Sequence, residues 1–213
     1  MRIDAAGWPF IAGAAVLALL LGWAGYAWAA AAAAVASAFF LFFFRDPERR
    51  INGQGDDVLS PADGRVMVAG APESGAAPPG TWQQISIFLS PMDVHVNRLP
   101  VSGRVTHVEY RPGRFLPAYR AEAAAENERN EVWIDHDGQT IVCRQVVGIL
   151  ARRVVCRVRP GTDVRAGERF GIMKFGSRMD VFLPPDASLR VRAGDRVRGG
   201  ITVLATLRGK DVR

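Results

Sequence analysis

Three segments of the 213-residue chain carry residue types that can act together as a nucleophile, a base and an orienting carboxylate. Ser177 follows Gly176, and a glycine gives the backbone the freedom that lets a serine Oγ reach the preceding carbonyl carbon. His95 lies on the polar side of an alternating, strand-like segment, and Asp63 lies in a Pro-Ala-Asp-Gly turn. Each residue alone has an ordinary structural explanation. Together they could form a base-activated nucleophile, although their spacing does not establish that they meet.

The other histidines and the cysteines are typical of structural positions. His107 lies beside polar residues of a strand, and His136 lies in an Asp-His-Asp-Gly turn whose acidic residues are too close together to surround one metal ion. Cys143 and Cys156 lie in apolar strand-like runs and are expected to behave as small core side chains. Two cysteines exclude a disulfide scaffold and a four-cysteine zinc site, so the sequence predicts no metal site.

Short apolar runs separated by Gly, Pro and Asp make up most of the chain after the first 50 residues. This pattern predicts a mainly β domain, and the one helix-like stretch is Ala118–Glu128. Two segments recur: Asp63–Val66 resembles Ser102–Val105, and Val164–Phe170 resembles Val191–Val197. We therefore predict a β sandwich or barrel-like hybrid domain with internal duplication and lipoyl-like hairpins.

The N-terminal region is a membrane segment by composition. Ala5–Phe44 contains 40 consecutive residues without Asp, Glu, Lys or Arg. One straight helix of that length would span about 60 Å, twice the hydrocarbon core of about 30 Å. Two glycines and three aromatic residues between Gly22 and Trp28 favour a turn at the membrane interface. The sequence predicts a transmembrane helical hairpin with arms at about Trp8–Leu21 and Ala27–Phe44.

A cleaved signal peptide is the competing interpretation, with a cleavage site at Ala36–Ala38. The apolar run continues for six residues beyond that point and ends at the basic segment Arg45–Arg50. This favours a retained anchor, residues 1–44, followed by a single domain, residues 45–213. By the positive-inside rule, we expect the domain on the cytoplasmic face of the cell's inner membrane.

The net charge of +6 comes from 25 Arg and two Lys against 21 acidic residues. The basic residues are scattered and no basic patch is interleaved with aromatic residues, so we expect no nucleic-acid partner. Beside a membrane segment, anionic lipid headgroups are the better match, since each basic group near such a surface contributes about 1 kcal/mol.

Several motifs, in this order and spacing, resemble the phosphatidylserine decarboxylase proenzymes of the short, membrane-anchored subclass. They are Ser60–Val66, Leu89–Pro100, Asn127–Arg129, Gln145–Arg153 and Phe175–Arg178. The resemblance covers nearly all of the soluble part. One departure is that larger family members carry Leu-Gly-Ser-Thr where this chain has Phe-Gly-Ser-Arg.

The resemblance implies a pyruvoyl enzyme that makes its own cofactor. Ser177 would attack the Gly176 carbonyl, and elimination and hydrolysis would leave a pyruvoyl group at position 177 and release ammonia. The products would be a β chain, residues 1–176, and an α chain, residues 177–213, which remain associated as a heterodimer. The pyruvoyl group would form a Schiff base with phosphatidylserine and release phosphatidylethanolamine.

The same resemblance implies roles for other residues. His95 would be the base that activates Ser177, and Asp63 would orient His95. We expect a lid over the lipid headgroup in the segment 112–130, with Phe115, Asn127 and Arg129 as candidate substrate-binding residues.

Two alternatives stay open at this point. One is a decarboxylase of another serine phospholipid, because the headgroup and the chemistry would be the same. The other is a non-catalytic, membrane-anchored lipoyl-like adaptor, which would have no need of Gly176 and Ser177 and would remain one intact chain. The sequence leaves homo-oligomerisation open.

Overall fold

The N-terminal apolar segment forms two helices that pack against each other in a computed structural model that describes residues 2–51, 53–149, 154–174 and 177–209. The helices are α1 (Trp8–Trp23) and α2 (Ala27–Phe43), which agree closely with the predicted arms. Gly25 turns the chain between them with a φ of +84°, which a residue with a Cβ rarely adopts. With the short helical turn before it, α1 is long and apolar enough to span a membrane, whereas α2 is shorter.

The rest of the described chain is mainly β, as predicted. The strands are β1 (Arg2–Ile3), β2 (Arg45–Asp46), β3 (Asp57–Leu59), β4 (Gly64–Gly70), β5 (Gln83–Leu89), β6 (Val96–Arg98), β7 (Gly103–Arg111), β8 (Arg129–His136), β9 (Gln139–Val147), β10 (Val154–Cys156), β11 (Asp163–Val164), β12 (Arg169–Met173), β13 (Ser177–Leu183), β14 (Ser188–Leu189), β15 (Arg196–Val197) and β16 (Val203–Thr206). The predicted helix at 118–128 is shorter than expected: only α3 (Ala123–Glu126) is helical. The helix ends at Glu126. The side chain of the next residue, Asn127, is buried and forms hydrogen bonds with the backbone of Leu116.

An eight-stranded antiparallel sheet organises the domain, in the order β11-β7-β8-β9-β13-β5-β4-β15. Two three-stranded sheets, β10-β12-β6 and β14-β16-β3, contribute side chains to the same apolar core as one face of the large sheet. Strand β13 lies near the centre of the large sheet, with a hydrogen-bonded neighbour on each side.

The repeated sequence segments have matching structures. In the first turn, the Gly167 amide donates to the Leu99 carbonyl, and the Leu99 amide donates to the Glu168 carbonyl, both at 2.8 Å. In the second turn, Gly194 and Asp195 make the same pair of bonds with Val66, at 2.8 and 2.9 Å. The duplication seen in the sequence is therefore a duplicated turn whose backbone makes a pair of hydrogen bonds with one distant residue, Val66 within β4 or Leu99 directly after β6.

The base of the helical hairpin is joined to the β domain. Strands β1 and β2, which flank the hairpin, pair with each other. The Asp4 carboxylate accepts two hydrogen bonds from Arg157, at 2.7 and 2.9 Å. Phe43 and Phe44, at the end of α2, are fully buried in a second apolar cluster with residues of the domain. The domain and the hairpin therefore share a packed boundary.

Candidate active site

Ser177 is the first residue of β13 and is fully buried. It lies opposite Leu89 at the end of β5 and opposite Val147 at the end of β9. Its position in the strand alternation puts it on the same face as Met179, which belongs to the main core. Its Oγ has no hydrogen-bond partner among the described residues. A buried hydroxyl without a partner carries a desolvation cost, and such groups are candidates for a catalytic role.

The predicted cleavage bond joins Ser177 to Gly176. Gly176 and Phe175 lie outside the described residues, as does Leu150–Arg153 of one resemblance motif. The described contacts at this bond are those of Ser177, on its C-terminal side.

His95 lies in the connection between β5 and β6 and is fully buried. A short turn before it is fixed by Asp93, whose Oδ2 accepts hydrogen bonds from the Ser90 amide and from the Ser90 hydroxyl, both at 2.8 Å. The His95 Nδ1 lies 3.0 Å from the Asp93 carbonyl oxygen. Because a carbonyl oxygen only accepts, Nδ1 carries the proton in this contact and Nε2 is left as an acceptor. Nε2 is buried and has no partner among the described residues.

The environment keeps His95 neutral. Burial lowers the pKa of His95 from 6.5 to about 4. The hydrogen bond that Nδ1 donates to the Asp93 carbonyl and the charges of Asp93 and Asp63 raise the pKa, whereas the charge of Arg45 lowers it further. At pH 7 the imidazole is therefore uncharged, which is the form that can accept a proton.

The fold brings together the chain segments that carry His95 and Ser177. Leu89, at the start of the β5–β6 connection, pairs with Ser177. The His95 carbonyl accepts from the amide of Met173 at 3.4 Å, and Met173 ends β12, four residues before Ser177. The β5–β6 connection therefore lies beside the end of β12 and the start of β13, at one end of the core.

The described hydrogen bonds of the Asp63 carboxylate are to Arg49 and to the backbone of Gly199. Its two carboxylate oxygens accept from the two Nη groups of Arg49, at 2.5 and 2.7 Å, and Oδ1 also accepts from the Gly199 amide at 2.8 Å. The described hydrogen bond of the His95 Nδ1 is to Asp93 instead. Asp63 acts on His95 through its charge, and an orienting role for it stays a prediction.

Asn127 is fully buried and its amide is occupied by the protein backbone. Oδ1 accepts from the Leu116 amide at 2.9 Å, and Nδ2 donates to the carbonyls of Leu116 and Val147 at 2.8 Å. Val147 pairs with Ser177, so Asn127 attaches the segment around Leu116 to the strand next to the nucleophile.

Phe115 and Arg129, the other two candidate substrate-binding residues, are close in sequence to the two residues that this hydrogen bonding joins, Leu116 and Asn127. The Arg129 guanidinium donates to the Ala125 carbonyl at 2.6 Å and to Glu131 at 3.3 Å. The Phe115 side chain is exposed. The structure thus places Phe115 where a substrate could reach it, and Arg129 in contacts that hold α3.

A buried ionic network, which the sequence motifs did not predict, lies on the opposite face of β13. Arg178 is fully buried; its Nε donates to Asp180 at 2.6 Å and its Nη2 donates to Ser86 at 2.7 Å and to Glu73. The available signal was the alternation in Ser-Arg-Met-Asp-Val-Phe-Leu, which puts opposite charges two residues apart on one face of a strand. The network holds the strand that begins with Ser177.

Within the described ranges, no group of three or more His, Cys, Asp or Glu side chains is arranged to hold a metal ion.

Comparison with known proteins identifies the family of this chain. The family model described as phosphatidylserine decarboxylase matches residues 36–205. A phosphatidylserine decarboxylase proenzyme from Magnetococcus marinus is 40% identical over 209 residues, covering 96% of this chain and 95% of the relative. Proteins of the same name from Nitrosomonas europaea and Burkholderia multivorans are each 44% identical, over 201 and 207 residues; these matches cover 93% and 94% of this chain and 92% and 94% of the relatives. The match includes the strands and connections that hold Ser177 and His95, and the chain belongs to the phosphatidylserine decarboxylase family.

Proposed function

We propose that this chain cleaves itself between Gly176 and Ser177 and then decarboxylates phosphatidylserine to phosphatidylethanolamine. The observation that carries the proposal is a pair of buried atoms without a hydrogen-bond partner among the described residues, the Ser177 Oγ at the start of β13 and the His95 Nε2 on the neighbouring β5–β6 connection. The family membership and the proenzyme names of the relatives support it.

Self-cleavage uses the neutral imidazole as the base. His95 Nε2 takes the hydroxyl proton as Oγ attacks the Gly176 carbonyl carbon, and the C–N bond breaks as the amine of residue 177 takes up a proton. The resulting ester loses the Cα proton of residue 177 and eliminates the Gly176 carboxylate, leaving a dehydroalanine. One water molecule then converts the dehydroalanine into a pyruvoyl group and ammonia.

The residues present fit a pyruvoyl group at position 177. The Ser177 side chain has no hydrogen-bond partner among the described residues, so loss of its hydroxyl breaks no described hydrogen bond of the side chain. The group supplies a carbonyl that condenses with the substrate amine and accepts the electron pair released with carbon dioxide. Strand β13 holds position 177 between β5 and β9, while His95 is placed to hold or move a proton there.

The two products of cleavage should stay together. The α chain, residues 177–213, contains β13, which is paired along its length with β5 and β9 of the β chain. Its buried Arg178 also binds Ser86 and Glu73. Separation of the chains would expose a central strand and a buried charge, so the active form is proposed to be a heterodimer.

We propose that the hairpin holds this chemistry at a membrane. A two-chain lipid leaves a bilayer only at about 0.8 kcal/mol for each exposed CH₂, so the enzyme must work at the headgroup level. Phe43, at the base of the hairpin, contacts His95, and Arg45, Arg49 and Arg50 follow directly. We propose a location on the inner membrane with the β domain on the cytoplasmic face.

Substrate contacts are proposed for the segment 112–130. The exposed Phe115 is the candidate for contact with lipid. The side chains of Asn127 and Arg129 hold this segment in place, and we propose that they shape the substrate-binding surface through those contacts.

Intact mass of the detergent-solubilised chain tests the proposal. We expect two species cut between Gly176 and Ser177, with the small one about 17 Da lighter than the plain peptide because an amine is replaced by a keto oxygen with net loss of ammonia. A Ser177→Ala chain is the control. One uncut mass would contradict the proposal and favour the non-catalytic adaptor. For a cut chain, release of carbon dioxide from phosphatidylserine, compared with an ether-linked serine phospholipid, decides between the two substrates.

A further inference from the structure

The end of the second hairpin helix forms part of the candidate active site. Phe43, the last residue of α2, is fully buried. The centroid of its ring lies 4.2 Å from that of the His95 imidazole, with 33° between the ring planes. The same cluster contains Val94 and Val96, the neighbours of His95 in the chain. The hairpin therefore covers the proposed base directly.

The first hairpin helix reaches the other half of the site. The Phe10 ring of α1 stacks on Phe44, with 5.5 Å between centroids and 24° between planes. The Lys174 Nζ lies 4.9 Å from the centre of the Phe10 ring. Lys174 is three residues before Ser177, so α1 contacts the segment that leads to the cleavage bond.

Hydrogen bonds fix the end of α2 against the turn that carries His95. The Arg45 guanidinium donates to the Phe42 carbonyl at 2.8 Å and to the Met92 carbonyl at 2.7 Å. One side chain thus connects the last turn of the helix to the residue three positions before His95.

We propose that Phe43 is a positioning residue for self-cleavage: it holds the His95 imidazole in place and keeps water from it, so the chain matures only when the hairpin is docked on the β domain. The inference rests on the self-cleavage proposed above, and it gives the anchor a role in maturation besides membrane attachment.

The physical effect of Phe43 is on the protonation of His95. The charged groups that act on this imidazole are Asp93 in its own turn, Asp63 before β4 and Arg45 after α2. Burial has the largest effect, and the Phe43 ring supplies part of it. Loss of the ring would admit water and move the pKa of His95 from about 4 toward its ordinary value of 6.5.

Nuclear magnetic resonance on the uncut Ser177→Ala chain tests this without any cleavage. The chain has three histidines, so each imidazole can be followed in detergent micelles through a pH titration. In the Phe43→Ser variant we expect the His95 titration to move upward by one to two units, roughly, with His107 unchanged. Leu41→Ser, an equally polar change at an exposed position of the same helix, is the matched control and should leave His95 unchanged.

The rate of cleavage is the second measurement. Full-length chain, synthesised briefly in a cell-free system with phospholipid nanodiscs, is transferred to pH 5 or pH 8 and followed by gel. With the pKa raised to between about 5 and about 6, the neutral fraction of His95 at pH 5 falls from about 0.9 to between about 0.5 and about 0.1, so the Phe43→Ser chain should be cut about two- to tenfold more slowly than wild type. At pH 8 His95 is almost entirely neutral in both chains, so the cleavage rates of wild type and Phe43→Ser should differ much less than at pH 5.

An unshifted His95 titration, or cleavage of the Phe43→Ser chain at the wild-type rate at pH 5, would overturn the proposal. If Phe43→Ser fails to fold, Phe43→Leu replaces it, with a smaller upward shift expected and an unchanged titration as the contrary result. If the wild-type chain is never cut, self-cleavage itself is wrong, while the titration still decides whether Phe43 controls His95.

Discussion

The carboxylate of Asp63 and the guanidinium of Arg49 form a two-pronged ion pair, with N–O distances of 2.5 and 2.7 Å. Asp63 Oδ1 also accepts from the Gly199 amide, and Arg49 Nη1 donates to the Gly199 carbonyl. This pair joins the segment after the hairpin, the turn before β4 and the proposed α chain. The charge of Asp63 reaches His95, although the described hydrogen bonds of Asp63 go elsewhere.

Replacement of Asp63 and of Arg49 should separate the structural role of this pair from its catalytic role. Asp63→Asn and Arg49→Met each break a nearly buried ion pair, and each should lower the free energy of unfolding by about 3 kcal/mol. Asp63→Asn should also slow self-cleavage about tenfold, because it removes a negative charge that stabilises the imidazolium formed on His95. Arg49→Met keeps that charge and should not slow cleavage. Thermal unfolding in detergent measures the change in stability, and cleavage time courses measure the change in rate. Equal cleavage rates in both variants would mean that Asp63 contributes to stability and not to catalysis.

Ser177→Ala should give a full-length chain with no decarboxylase activity and almost unchanged stability. The substitution removes a buried hydroxyl that has no partner among the described residues, so the free energy of unfolding should change by less than about 1 kcal/mol. Intact mass and thermal unfolding test this together. A Ser177→Ala chain that is still cut before residue 177 would rule out Oγ as the nucleophile.

His95→Gln should slow maturation by about a hundredfold or more, because a glutamine amide cannot accept the hydroxyl proton. The measurement is the fraction of cut chain against time after a short pulse of synthesis. His107→Gln, at an exposed site, is the control and should mature at the wild-type rate. Normal maturation of the His95→Gln chain would assign the base elsewhere.

Acid should destabilise the uncut Ser177→Ala chain through His95. The folded-state pKa of about 4 lies below the ordinary value of 6.5, so the stabilisation is complete above pH 6.5 and is lost as the pH falls toward 4. The difference of about 2.5 units corresponds to about 3 kcal/mol. Unfolding of the Ser177→Ala chain with and without His95→Gln should show a stability difference that changes by this amount between pH 7 and pH 4. Parallel curves would mean that His95 is not buried in its neutral form.

Arg178→Met should destabilise the domain strongly. It would leave Asp180, which is fully buried, without its cationic partner, at a cost of about 3–5 kcal/mol. Arg111→Met, which breaks an exposed pair with Glu109, is the matched control and should cost less than about 1 kcal/mol. Thermal unfolding compares the two, and similar midpoints would show that the Arg178 network contributes little to stability.

The local pattern of the sequence determined much of this protein. The uncharged run with central glycines predicted the helices Trp8–Trp23 and Ala27–Phe43 to within two residues, because hydropathy and helix length are local properties. Short apolar runs between glycines predicted the mainly β domain. The residue types and the resemblance of the motifs to the decarboxylase proenzymes made Ser177 and His95 the candidates for nucleophile and base.

Tertiary structure alone decided which groups meet. Strand β13 pairs with β5, about 90 residues earlier in the chain, and no local periodicity specifies such a partner. The same holds for the ion pair between Asp63 and Arg49, for the buried position of Arg178 and for the contact between Phe43 and His95. Periodicity shows whether a side chain is buried, whereas the identity of its neighbours depends on the packing of distant segments into one core.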